Sequence, residues 1–158
     1  MRNTILIKRD ELQQQTDLRN FYMGESAKRK DNDADTLQSS TEEKELFVML
    51  QSRALNELVT AVALRFSFIN YSIQEEYIEI TFNTADERRS HLLPMLKQAI
   101  IDYLVNEINM QWLLLRQPAM AQPYMSLRAS LYSNVQQLFA KFYNGSPVRR
   151  RSTNLAGI

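Results

Sequence analysis

The chain has no cysteine, one histidine and one tryptophan, and over its 158 residues glycine occurs three times and proline four. Without cysteine there are no disulfides, thiolate metal sites or cysteine nucleophile, and one imidazole is too few for a His-rich metal centre. Scarce glycine and proline leave few natural breaks, which favours long helices. No run reaches the ~18 uncharged apolar residues of a membrane span, and Thr4-Ile5-Leu6-Ile7 is too short for the apolar core of a signal peptide. Excess charge of either sign is lacking too: 19 Lys and Arg face 18 Asp and Glu, so any electrostatic function is local. These absences predict a cytosolic chain with no membrane partner, no cofactor and no metal.

What is present fits one compact domain with a single core. Residues 1–40 carry seven basic and seven acidic side chains, including Lys28-Arg29-Lys30 and Asp31, Asp33 and Asp35, at low apolar density. Such a segment does not fold alone and reads as an extended N-terminal arm. Its apolar islands are the strand-like Ile5, Leu6 and Ile7, and a cluster of Leu18, Phe21, Tyr22 and Met23. The cluster suits docking, either on the chain's own core or on a neighbouring subunit.

Residues 41–145 read as the helical domain. Ser40 and Glu43 have capping-box spacing, and two adjoining stripes follow at helical period: Phe47, Leu50, Ala54, Leu58, Ala61 and Arg65, then Val48, Leu55, Val59, Val62 and Phe66. A face that wide implies more than one neighbour. The period then changes to two. Ile78, Ile80 and Phe82 alternate with Tyr77, Glu79 and Thr81, and Phe68 to Ile73 also suits a strand, so a β-hairpin is expected within residues 66–82. Thr84 and Glu87 repeat the capping spacing before a stripe of Leu93, Leu96, Ile100, Leu104, Ile108 and Leu115. Pro94 lies inside that pattern and predicts either a kink or a separate first turn. After Pro118 and Pro123 a third stripe, Tyr124, Leu127, Leu131, Val135, Leu138 and Phe142, runs to Asn144-Gly145, a favourable helix stop. The expected fold class is mainly α, a three-helix bundle-like core with a β-hairpin between the first and second helices and extended N- and C-terminal arms. Residues 146–158, with Arg149, Arg150 and Arg151, form the basic C-terminal tail.

No catalytic constellation is legible: there is no phosphate-cradling glycine loop, no nucleophile elbow and no metal-binding His pair. Ser90 and His91 are adjacent, but neighbours on a helix point in different directions. Glu42-Glu43 and Glu75-Glu76 fall at a helix start and a turn, where solvation and the helix dipole account for them. Trp112, Tyr103, Tyr124, Tyr132 and Tyr143 fall on or beside amphipathic stripes, which favours core or subunit-interface packing over base stacking. Three arginines on a tail support only weak, salt-sensitive contact with nucleic acid, and equally suit an acidic protein groove.

The order of elements, with Glu76 to Phe82, Leu96 to Trp112 enclosing Tyr103, Tyr124, and the basic stretch Pro147 to Arg151, resembles small virion proteins of tailed bacteriophages of Bacteroidetes, of the head-to-tail connector or neck type. The resemblance implies a structural protein, not an enzyme, that forms a cyclic homo-oligomer of about a dozen copies between the portal protein and adjacent neck or tail proteins. It implies location in the virion neck after assembly in the host cytoplasm, with at most incidental DNA contact. Within that frame Arg149, Arg150 and Arg151 are candidate contacts to an acidic surface, Ile5, Leu6 and Ile7 a strand added to a neighbour's sheet edge, and Phe21 and Tyr22 anchors that order on assembly. A tail-completion or stopper protein of the same virion, and a small helical nucleic-acid-binding or regulatory protein, are the alternatives.

Overall fold

The computed structural model describes residues 2–16, 44–66, 69–84 and 87–143. The protein is mainly helical, with four α-helices and a small three-stranded antiparallel sheet. In chain order these are β1 (Arg2–Lys8), a short helix α1 (residues 9–16), α2 (Lys44–Ala63), β2 (Asn70–Ile73), β3 (Tyr77–Asn83), a 3-10 segment (Glu87–Leu92), α3 (Leu93–Arg116), a 3-10 turn (Pro118–Ala121) and α4 (Gln122–Tyr143).

The β-branched run near the N-terminus becomes a central part of the fold. β1 pairs antiparallel with β3, Ile5 opposite Ile80 and Ile7 opposite Ile78, while β2 flanks β3 on its other side. Period-two geometry sends Ile5, Ile7, Ile78, Ile80 and Phe82 into the core and leaves Leu6 facing outward. This corrects two expectations. Ile5, Leu6 and Ile7 pair within their own chain, because β3 offers an apolar face in matching register. The extended arm expected over residues 1–40 also does not cover residues 2–16. Arg9 fastens them: its backbone N–H donates to the Glu76 carbonyl at 2.9 Å, its Nε to Gln51 Oε1 at 3.1 Å and its Nη1 to the Gln74 carbonyl at 3.0 Å. Leu12, one turn further along α1, is fully buried.

Pro94 falls in the first turn of α3, where its missing N–H costs no helical bond, and the preceding residues form the separate 3-10 segment. α3 is the centre of the molecule. Leu96, Ile100, Leu104 and Ile108 of the expected stripe are buried, but so are Ile101, Val105, Met110 and Trp112 on its other faces. A helix apolar all round is packed all round. α2 and α4 lie against it, and the pair 103/132 lies earlier on α3 and later on α4 than the pairs 106/124 and 107/128, so α3 and α4 run antiparallel. At the far end of α4, Phe139 and Phe142 meet Phe82 edge-on at 5.2 and 5.5 Å, closing the sheet onto the helices.

Two further stripe expectations need correction. Leu115 and Leu127 are 65% and 49% exposed and stand off the buried face of their helices. Phe21, Tyr22, Arg149, Arg150 and Arg151 lie outside the described residues.

Burial of β1 predicts an asymmetry within it. Ile7→Ala should lower unfolding stability by about 2–5 kcal/mol, whereas Leu6→Ala should stay within ~0.5 kcal/mol. Urea titrations at two protein concentrations check this, and an Ile7 effect that vanished on dilution would contradict intrachain pairing.

Candidate functional site

α2 and α4 both pack on α3 and meet each other chiefly through long side chains, which leaves a groove between them. Near its middle Arg128 of α4 reaches across, its Nη2 3.3 Å from Glu57 Oε2 on α2 and its Nε 2.6 Å from Glu107 Oε1 on α3. Arg53, one turn before Glu57, donates from its Nε to the other Glu57 oxygen at 3.2 Å. This chain of charges divides the groove in two. One hollow, of about 630 Å³, is walled by Ala61, Leu64, Met125 and Ala129 over Tyr103 and Tyr132. The other, of about 450 Å³, is walled by Met49, Leu50, Met110, Leu114 and Leu115.

The electrostatics follow from depth. Glu107 is fully buried, and desolvation raises its carboxyl pKa above the ordinary 4.5 even though Arg128 pulls the other way. Tyr103 is pushed up to about 12, first by burial and then by the Glu107 charge. Tyr132 accepts a 2.6 Å hydrogen bond from Gln136 Nε2. One turn along, the buried Asn106 donates from Nδ2 to the Tyr124 carbonyl at 3.0 Å, while both polar atoms of the buried Asn109 have no hydrogen-bond partner.

The groups facing the hollows are Arg128, held by two carboxylates, the phenols of Tyr103 and Tyr132, and Arg53, Asn56, Thr60 and Gln111, set among apolar side chains. Among the described residues no cluster of three or more His, Asp or Glu is placed to hold a metal ion, and no helix is long and apolar enough to cross a membrane. Ser90 and His91 are both exposed on the 3-10 segment, and Glu75 and Glu76 are exposed between β2 and β3. Trp112, Tyr103 and Tyr124 are buried in the core and Tyr132 is half-buried against Tyr103, their ring centroids 6.1 Å apart.

Of the residues singled out in the sequence, Ile5 and Ile7 sit in the core under the sheet, away from the groove, and Leu6 lies on the sheet's outer face. The Glu57, Glu107 and Arg128 cluster was not singled out there. A signal for it exists: Glu107 is the one charged residue between Tyr103 and Leu115. No protein-family model, no curated protein and no solved structure matches the chain.

The buried carboxyl has a pH signature. With its folded pKa raised, Glu107 stays protonated in the folded chain after the unfolded chain has lost that proton, so its contribution to stability falls as pH rises from about 4.5 through the folded value. Glu107→Gln removes this dependence. The variant should therefore gain stability relative to the parent as pH rises through that window, measured by urea midpoints at pH 4 to 8, and a constant difference would refute the assignment.

Proposed function

We propose that the chain is a non-catalytic assembly subunit, a virion structural protein of a phage neck that joins portal to tail as a ring-forming head-to-tail connector. The observation that carries the assembly reading is where the exposed apolar side chains lie. Nine large hydrophobics are exposed among the described residues, and Met49, Leu64, Leu114, Leu115 and Met125 all line the one groove. Exposed apolar side chains scattered singly are normal, but a contiguous groove of them marks a surface that another protein covers. The lining offers contact area and a buffered ion pair, with no group poised for chemistry, which favours binding over catalysis. The neck identity rests on the sequence resemblance described above. It casts the helices as the body of a ring of about a dozen copies, and the segment between α1 and α2, with Phe21 and Tyr22, and the tail with Arg149 to Arg151 as the arms that clasp adjacent rings.

The test is co-assembly. Mixed with a portal protein, the full chain should form a multi-copy complex resolvable by native mass measurement. Deleting residues 146–158 should leave the helical circular-dichroism signal intact and abolish that complex. A full chain that ignores the portal, yet binds DNA in filter assays with steep salt dependence near physiological ionic strength, would overturn the neck reading in favour of a nucleic-acid-binding role. A truncated chain that co-assembles normally would remove the clasp.

A further inference from the structure

One corner of the molecule gathers carboxylates that no base neutralises. Asp10, at the start of α1, is brought beside Glu75 and Glu76, in the turn between β2 and β3, because the Arg9 N–H donates to the Glu76 carbonyl and Arg9 Nη1 to the carbonyls of Gln74 and Glu75. All three are exposed, and none has an ion-pair partner among the described residues. With Glu11 next along α1 they outnumber the two cations there, Lys8 and Arg9, and Arg9 is committed to those carbonyls and to Gln51.

A second observation lies in the same place. Asp10 and Glu75 line a hollow of about 160 Å³ together with Arg9, Gln13 and Gln51. Gln51 is 1% exposed; its Oε1 accepts from Arg9 Nε, but its Nε2 has no acceptor. Buried donors are seldom left unpaired, and a main-chain carbonyl entering the hollow satisfies this one.

We propose that in the free protein the chain's own basic tail docks at this corner, Arg149, Arg150 and Arg151 pairing with Asp10, Glu75 and Glu76. Guanidinium groups suit carboxylates because two parallel N–H bonds can form, and attachment to the same chain supplies the local concentration that exposed pairs need.

The reach fits. α4 ends at Tyr143, and its last turns sit on Phe82 and Phe66, Phe142 meeting Phe82 at 5.5 Å and Phe139 meeting Phe66 at 6.1 Å. Back from Phe82 to Glu76 the chain of β3 covers about 20 Å at ~3.3 Å per residue, and α2 from Ala63 back to Gln51 covers about 18 Å at ~1.5 Å per residue. Two separate elements thus set the acidic corner at a similar distance from the root of the tail. Arg149 and Arg151 follow Tyr143 by six and eight residues, which allows a span of at most roughly 20–29 Å.

The docking concerns the free chain and goes beyond the neck reading. Where the tail serves as a clasp, the chain's own body holds it until a more acidic surface displaces it.

The chain has no cysteine, so a nitroxide attached through Ser152→Cys on the full chain reports on the tail alone. The amide signals of Asp10, Glu75 and Glu76 should broaden more than those of Phe82 and Phe139, which lie nearest the tail's root. Substituting Arg149→Gln, Arg150→Gln and Arg151→Gln together should reverse that order, and so should Asp10→Asn with Glu75→Gln and Glu76→Gln, each with an unchanged circular-dichroism signal. Salt at about 1 M should reverse it too, since the screening length falls to ~3 Å. An isotope-enriched chain without the label, mixed with labelled chain, should show no broadening. Broadening of the parent that is strongest at the root overturns the docking and leaves the corner to another cation, such as Lys28 to Lys30. An order that survives both sets of substitutions overturns it as well, and broadening transferred to the unlabelled copy assigns the corner to a neighbour's tail instead. Co-assembly with a portal protein is read in a separate experiment and stands or falls independently.

Discussion

Everything in this fold is arranged around the need to bury α3 on all its faces. Fourteen of its residues from Leu96 to Leu113 are buried, on more than one face, so no single neighbour can cover them. α2 takes one side, α4 another, and β1 approaches a third, so the sheet and both long helices are held in place by a shared partner more than by one another. A helix covered from several directions also tolerates few polar residues. Those it buries, Asn106, Glu107 and Asn109, lie together in one stretch.

That constraint creates the groove. Two helices resting on opposite shoulders of a third are too far apart for their backbones to pack, and the space between them is bridged only where a long side chain can cross. Arg128 is that side chain. It pairs with Glu107 at the bottom and Glu57 at the rim, which compensates the buried carboxylate that α3 places there. Leu64, Leu115 and Met49 remain outside the bridge and exposed among the described residues.

Much of this was legible residue by residue. The alternation of Tyr77 to Phe82, the stripe from Phe47 to Val62 and the separate turn before Pro94 all follow from local periodicity and backbone sterics. The place of Ile5 and Ile7 was not, because a short apolar run reads the same whether its partner strand is in its own chain or a neighbour's. Pairing residues 5 and 80 is a long-range event that no local pattern encodes. Arg128 was hidden for a similar reason: it sits on the polar flank of α4, and only the fold brings two carboxylates to it from other helices.

By itself the sequence determined the class of protein: helix-rich for want of glycine and proline, without thiol chemistry for want of cysteine, and with the periods of its strands and helices set by side-chain alternation. The tertiary structure alone decided that α3 is central, that β1 completes the sheet from within, and that a divided apolar groove with a charged bridge lies between α2 and α4. Periodicity fixes which face of an element is apolar, since that depends on residues a few positions apart. Which element covers that face depends on contacts between distant parts of the chain, and these exist only once the chain has folded.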